Sequence, residues 1–161
     1  LQGTSAPRLV AKADVLEYQL RLQRRACTIA AVGAAFALSL WALSSVIDNE
    51  GTLRWESHKW VATGGLEVSV GILMDSLTAI MLIVVSGVSL MIQVYSLAYM
   101  KHDPSISRFF AYMSLFTASM LGLVLARNII QLYVFWELVG LCSYLLIGFW
   151  YEKPSAASAA R

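Results

Sequence analysis

Four stretches of this chain are apolar for long enough to cross a bilayer, and short polar segments separate them. They fall at residues 27–47, 72–97, 109–126 and 129–150. The pattern predicts an all-α integral membrane protein with four transmembrane helices. Residues 1–26 read as a polar, basic N-terminal arm, partly disordered over 2–7. Within it, Val15, Leu16, Leu20 and Leu22 mark a short surface helix. Residues 27–151 form the transmembrane region, and 152–161 a short polar tail whose Ala-rich end starts another helix. The segment 48–70 reads as a polar loop, with a short strand at 66–70 and with Trp55 and Trp60 at the membrane interface. Pro104 reads as a stop in the polar turn at 101–104. Asp75 sits near the start of the second span. Two readings stand for it: an interfacial carboxylate at a helix N-terminus, or a group on an ion-access path.

Composition agrees with the pattern. Hydrophobic residues make up 58% of the chain and charged ones 14%, against about 25% charged in ordinary soluble domains. A net charge of +2 is too small to imply nucleic acid. The basic residues serve as orientation markers instead. Arg21, Arg24, Arg25, Lys101, Arg108 and Lys153 flank one side of the predicted membrane, while Arg54, Lys59 and Arg127 flank the other. The positive-inside rule puts both ends of the chain inside and the loop at 48–70 outside. Cys27 and Cys142 are far apart, and His58 and His102 are isolated, so no zinc, haem or iron–sulfur motif is present. Gly64-Gly65 lacks a phosphate-loop pattern, and no residue is assigned to cofactor or metal binding. The chain begins with Leu1, and two readings stand: a complete small membrane protein or a piece of a larger one.

Glu137 is the candidate functional residue. It lies well inside the last span, where a carboxyl group needs a partner, a hydrated cavity or a proton. Burial disfavours the charged form of any carboxyl group and a nearby cation restores it, so such a group can change protonation when its partner moves. None of the four spans contains Lys, Arg or His. Any cationic partner must therefore come from elsewhere. Gly140 leaves space beside the carboxylate. Ser143 and Tyr144 follow on the helix as candidate hydrogen-bonding support. The competing structural reading is a neutral acid bonded to a neighbouring hydroxyl or carbonyl. Cys142 reads as a packing residue.

The run Phe135-Trp136-Glu137-Leu138-Val139-Gly140-Leu141-Cys142-Ser143-Tyr144-Leu145-Leu146-Ile147-Gly148-Phe149-Trp150 closely resembles the fifth-helix signature of a known family. This is the large antiporter-like subunit of respiratory complex I (NADH-quinone oxidoreductase), called chain 5 or subunit L, which has a counterpart in plastids and cyanobacteria. Arg108-Phe109-Phe110-Ala111-Tyr112, Ser119-Met120, Tyr95-Ser96 and Tyr99-Met100 look like the same family, so the likeness runs roughly over 72–160. The resemblance implies an N-terminal fragment of a larger antiporter-like helical subunit, with the four spans as the family's second to fifth. The family's first membrane helix has no counterpart in residues 1–26.

The resemblance also implies a function: a proton-translocating membrane-arm component of an NADH- or ferredoxin-driven quinone reductase. In it Glu137 would be the proton-relay carboxylate, paired with a lysine on a later helix. Asp75 matches no relay residue of the family. No redox active site belongs to this chain, so it is not a catalytic enzyme by itself. NADH or ferredoxin, iron–sulfur clusters and quinone would be bound by other subunits, and the expected partners are the other membrane-arm subunits and the lipid bilayer. The expected location is a bacterial plasma membrane, with an organellar or thylakoid membrane as the alternative. The related large subunit of a multi-subunit cation/proton antiporter is the alternative function. Gly140-Leu141-Cys142-Ser143-Tyr144 looks more like the complex I form. A non-pumping structural membrane subunit is the third reading.

Overall fold

A computed structural model describes residues 6–48, 52–63, 66–101, 103 and 105–160, with side chains described for 23, 25–48, 69–101, 103 and 105–160. The first helix, α1, runs unbroken over Ala6–Asp48. No break separates the polar arm from the first span. The physical reason is local: after Pro7, at a position helices tolerate, no Gly or Pro interrupts the chain before Gly33, and Ala, Leu, Gln, Arg and Lys all favour helix. Its membrane-length portion is Arg25–Asp48. Part of the stretch expected to be disordered, residues 2–5, lies outside the described residues.

The segment 48–70 holds more regular structure than expected. Strands β1 (Thr52–Thr63) and β2 (Leu66–Asp75) pair antiparallel, with register shifts between Trp55 and His58 and between Lys59 and Val61. The sequence places Gly64-Gly65 between two runs rich in Val, Ile, Thr and Trp, which is a hairpin signal. The side chains of Trp55 and Trp60, and the residue Pro104, lie outside the described residues.

Helix α2 covers Ser76–Tyr99. It starts four residues later than the expected 72, because 72–75 complete β2 and Asp75 caps the helix. The Asp75 Oδ1 accepts the Thr78 backbone N–H at 2.7 Å. That bond comes first among the causes that hold the carboxyl below its ordinary value. Helix α3 covers Ile106–Val124, α4 Ile129–Ile147 and α5 Pro154–Ala159. Arg127 and Asn128 make the tight turn between α3 and α4, with Asn128 as the α4 N-cap.

The four long apolar helices make the chain a multi-pass membrane protein. Successive helices pack on one another, α1 on α2, α2 on α3 and α3 on α4, and α1 also touches α3. The buried face of α2 carries Ala79, Leu82, Ser86, Ser89, Gln93 and Ser96, while Leu77, Ile80, Val84, Val88 and Val94 face outward. This inversion suits a bilayer. Lipid tails solvate the apolar side as well as a core would, and polar or small residues give helices their contacts. Ser86 Oγ donates to its own Leu82 carbonyl at 2.5 Å and lies 3.2 Å from Ser39 Oγ of α1. Ser89 and Thr117 of α3 share a hydrogen bond of 2.5 Å.

An aromatic knot closes the end of the bundle away from the hairpin. Met100, Ile106, Phe110 and Phe149 are buried together there, with Ile29, Phe109 and Tyr112 against them. Phe149 meets Phe109 edge-on at 5.5 Å and Trp150 at 5.6 Å. The Arg108 guanidinium lies 5.0 Å from its ring centre and donates to its carbonyl at 3.3 Å. Trp150 Nε1 donates to Asp103 Oδ2 at 2.9 Å. That bond, then the Ser105 N–H, hold the Asp103 carboxyl low, and the charge of Arg108 adds to them. This knot ties the two ends of the α3–α4 hairpin to the end of α2.

Candidate functional site on the last membrane helix

Helix α4 is built from strong membrane formers, and its N-terminus is closed by its own cap: Asn128 Oδ1 accepts the Gln131 N–H at 2.8 Å. Eight residues separate Ile129 from Glu137 and ten separate Glu137 from Ile147. At the helical rise this puts Glu137 about 12 Å from one end and about 15 Å from the other, close to the middle of a hydrocarbon core about 30 Å thick.

The helix has two different faces. Phe135, Leu138, Val139 and Cys142 turn toward the other helices, and Cys142 is fully buried, as its reading as a packing residue requires. Gly122 of α3 is the contact point. A Cβ there would overlap the Phe135 ring, so glycine is what lets α4 lie close to α3. On the opposite face stand Tyr133, Glu137, Gly140 and Tyr144, all exposed and spaced at one or two turns. No described residue lies within 4 Å of where a Gly140 Cβ would be. An ionised carboxylate facing hydrocarbon at this depth costs roughly 2.5–3.5 kcal/mol on the insertion scale. That cost disfavours lipid as the neighbour of this face.

The four residues singled out in the sequence separate in the structure. Tyr133 stands one turn before Glu137 on the same exposed face, with its phenol beside the carboxylate. The i, i+4 spacing is the sequence signal for such a pair. Gly140 has open space where a side chain would stand. Ser143 spends its hydroxyl on the Val139 carbonyl at 2.9 Å and so turns back onto its own helix. Tyr144 shares Glu137's face but lines a separate cavity of about 300 Å³ with Arg108, Tyr112, Phe149 and Tyr151. Asp75 lies at the hairpin end of α2 as its N-cap, and the structure does not bring it to Glu137's helix. Among the described residues, no three His, Cys, Asp or Glu side chains cluster as a metal site.

Comparison with known proteins gives two family matches. Residues 60–110 match the family described as NADH-Ubiquinone oxidoreductase (complex I), chain 5 N-terminus. Residues 126–161 match the family described as NADH:quinone oxidoreductase/Mrp antiporter, TM. The second match contains the whole of α4. The chain is 53% identical over 116 residues to the chloroplastic NAD(P)H-quinone oxidoreductase subunit 5 of Anthoceros angustus, covering 72% of this chain and 16% of the relative. It is 47% identical over 133 residues to that of Chlorokybus atmophyticus, covering 83% and 20%. It is 43% identical over 140 residues to the NAD(P)H-quinone oxidoreductase chain 5 of Synechocystis sp., covering 81% and 20%. The chain thus spans about a fifth or less of the length of these relatives.

Proposed function

The chain belongs to the complex I chain 5 family of antiporter-like membrane proteins, and from that premise we propose that it forms part of a proton-translocating subunit of a quinone reductase. In this reading Glu137 is the intramembrane relay carboxylate, and NAD(P)H or ferredoxin oxidation and quinone reduction occur on other subunits. One observation carries the proposal. A carboxylate stands mid-membrane on the face of α4 that the other described helices leave uncovered, with the Tyr133 phenol one turn away on the same face and room at Gly140. A side chain that costs this much in lipid belongs opposite a polar or cationic partner, and protonation of one member of such a pair follows the charge on the other. The partner is proposed to be a cation on a helix of the parent subunit.

The charge distribution supports an orientation in which the Arg108 end of the bundle faces the inside and the β1–β2 hairpin the outside. The Mrp antiporter shares the second family description. The quinone-reductase reading is preferred because the relatives that cover most of the chain carry that name.

The test is Glu137→Gln in the full-length parent subunit, assembled in its membrane complex. Quinone reduction and proton uptake are followed in sealed vesicles. Retained electron transfer with proton translocation lost supports the relay. Full translocation in the variant leaves only a structural role.

A further inference from the structure

Helix α4 is held at its hairpin end by β2 as well as by α3. Strand β2 uses one edge for β1. Its other edge presents backbone groups at alternate residues, Ser69, Gly71 and Leu73, to the α3–α4 turn. Asn128 Nδ2 donates to the Ser69 carbonyl at 2.5 Å. The Gly71 N–H donates to Gln131 Oε1 at 3.3 Å. The Leu73 N–H donates to the Leu125 carbonyl at 3.4 Å, and Ile72 forms an isolated bridge with Ala126. Asn128 therefore does two things at once: its oxygen caps α4 and its amide nitrogen ties α4 to the strand.

Packing on α3 leaves the Glu137 face of α4 uncovered. Cys142 is the one fully buried residue of the helix, and Phe135 against Gly122 is its close contact before that. Rotation about the helix axis would carry Glu137 away from any partner. Gln131 lies six residues before Glu137, about 9 Å along the axis, near enough for a fixed first turn to set the depth and rotation of the carboxylate.

We propose that Asn128 and Gln131 are positioning residues for Glu137, acting through their hydrogen bonds to β2. The proposal builds on the relay reading of Glu137, but its own measurement is of where the carboxylate sits. The substitutions separate cap from staple. Asn128→Asp keeps the capping oxygen and removes the Nδ2 donor. Gln131→Leu removes the acceptor for Gly71, and Gln131→Glu keeps one.

The experiment uses the full-length parent subunit in its complex. It records the isotope-edited infrared band of the Glu137 carboxyl as a function of pH, assigned by its loss in Glu137→Gln, together with protons translocated per quinone reduced. The N128D/Q131L pair is expected to shift that band and its titration. Translocation should fall about tenfold or more, since misplacing a reacting group by about 1 Å costs on the order of a hundredfold. Gln131→Glu should restore both toward the parent. An unchanged band overturns the proposal whatever translocation does. A shifted band with full translocation supports positioning and counts against the relay reading. Should the pair fail to assemble, Gln131→Leu alone carries the same test, because the α4 cap stays intact.

Discussion

Helices α2 and α4 have similar lengths and similar apolar character, yet they dispose of their polar residues in opposite directions. On α2, Ser86, Ser89, Gln93 and Ser96 turn inward, and Ser86 and Ser89 meet hydroxyls of α1 and α3. On α4 the inner face is apolar, with Cys142 at its centre, and Glu137 with Tyr133 turns outward. The difference teaches which helix has an outer face fit for lipid. The hydroxyls of α2 are bonded within the bundle and to their own backbone, so its outer face is fit for lipid. The polar stripe of α4 is not matched by the other described helices, so that face is fit for a further polar partner. A carboxylate is the more demanding group. A serine hydroxyl can always bond its own i−4 carbonyl, as Ser86, Ser96 and Ser143 do. An ionised glutamate, with no proton to donate, lacks that recourse.

The contrast can be broken in four places, in falling order of effect. Glu137→Gln in the parent complex is expected to remove proton translocation while leaving quinone reduction, as measured in sealed vesicles. The corresponding change on α2, Gln93→Leu, should leave translocation in place, because Gln93 is fully buried away from the α4 stripe. Gly122→Val comes next. Its side chain would meet the Phe135 ring and push α3 from α4, and overpacking of this kind costs about 1–3 kcal/mol. The amount of assembled complex and its thermal stability in detergent check this, and Gly140→Ala, with open space around it, should cost much less on the same measurements.

Asp75→Ala removes the α2 cap and should lower stability by about 1 kcal/mol. Asp75 also gives the cap a pH dependence. Its folded carboxyl is held below the ordinary value of 3.8. The contribution is therefore fully present above that value and is lost as pH falls through the lower, folded one. Stability of Asp75→Ala should accordingly differ from the parent at neutral pH and converge with it in strong acid. The smallest effect belongs to the Ser89–Thr117 pair. A double-mutant cycle with Ser89→Ala and Thr117→Val should give a coupling of about 0.6 kcal/mol, the average for interhelical hydrogen bonds in a membrane protein. A coupling near zero would mean that the bond adds nothing beyond back-bonding to Met113, whose carbonyl accepts from Thr117 at 2.8 Å.

The sequence was sufficient for the membrane class, for four helices and for Glu137 as the residue to explain. Length and hydropathy are sums along the chain, and an apolar run of about 20 residues has few alternatives to a spanning helix. Helix starts were less legible. At 72–75 the apolar run continues across two kinds of structure, because Ile72, Leu73 and Met74 suit a strand as well as a span. Only the Asp75 cap marks the change. The hairpin carried a signal in Gly64-Gly65, but two register shifts interrupt the alternation that would have made β1 evident.

What the tertiary structure decided is which way each helix faces. In water, the apolar stripe of a helix points to the core, and periodicity reveals it. In a bilayer both sides of a helix meet apolar surroundings, so the pattern of α4 does not say whether Phe135 or Glu137 looks inward. That choice came from the fit of Phe135 over Gly122 and from the bonds of Asn128 and Gln131 to β2, a strand about 60 residues earlier in the chain. Such contacts depend on shape and on partners distant in sequence. No local sum of hydropathy contains them, and they are what leave Glu137 on the open face of the bundle.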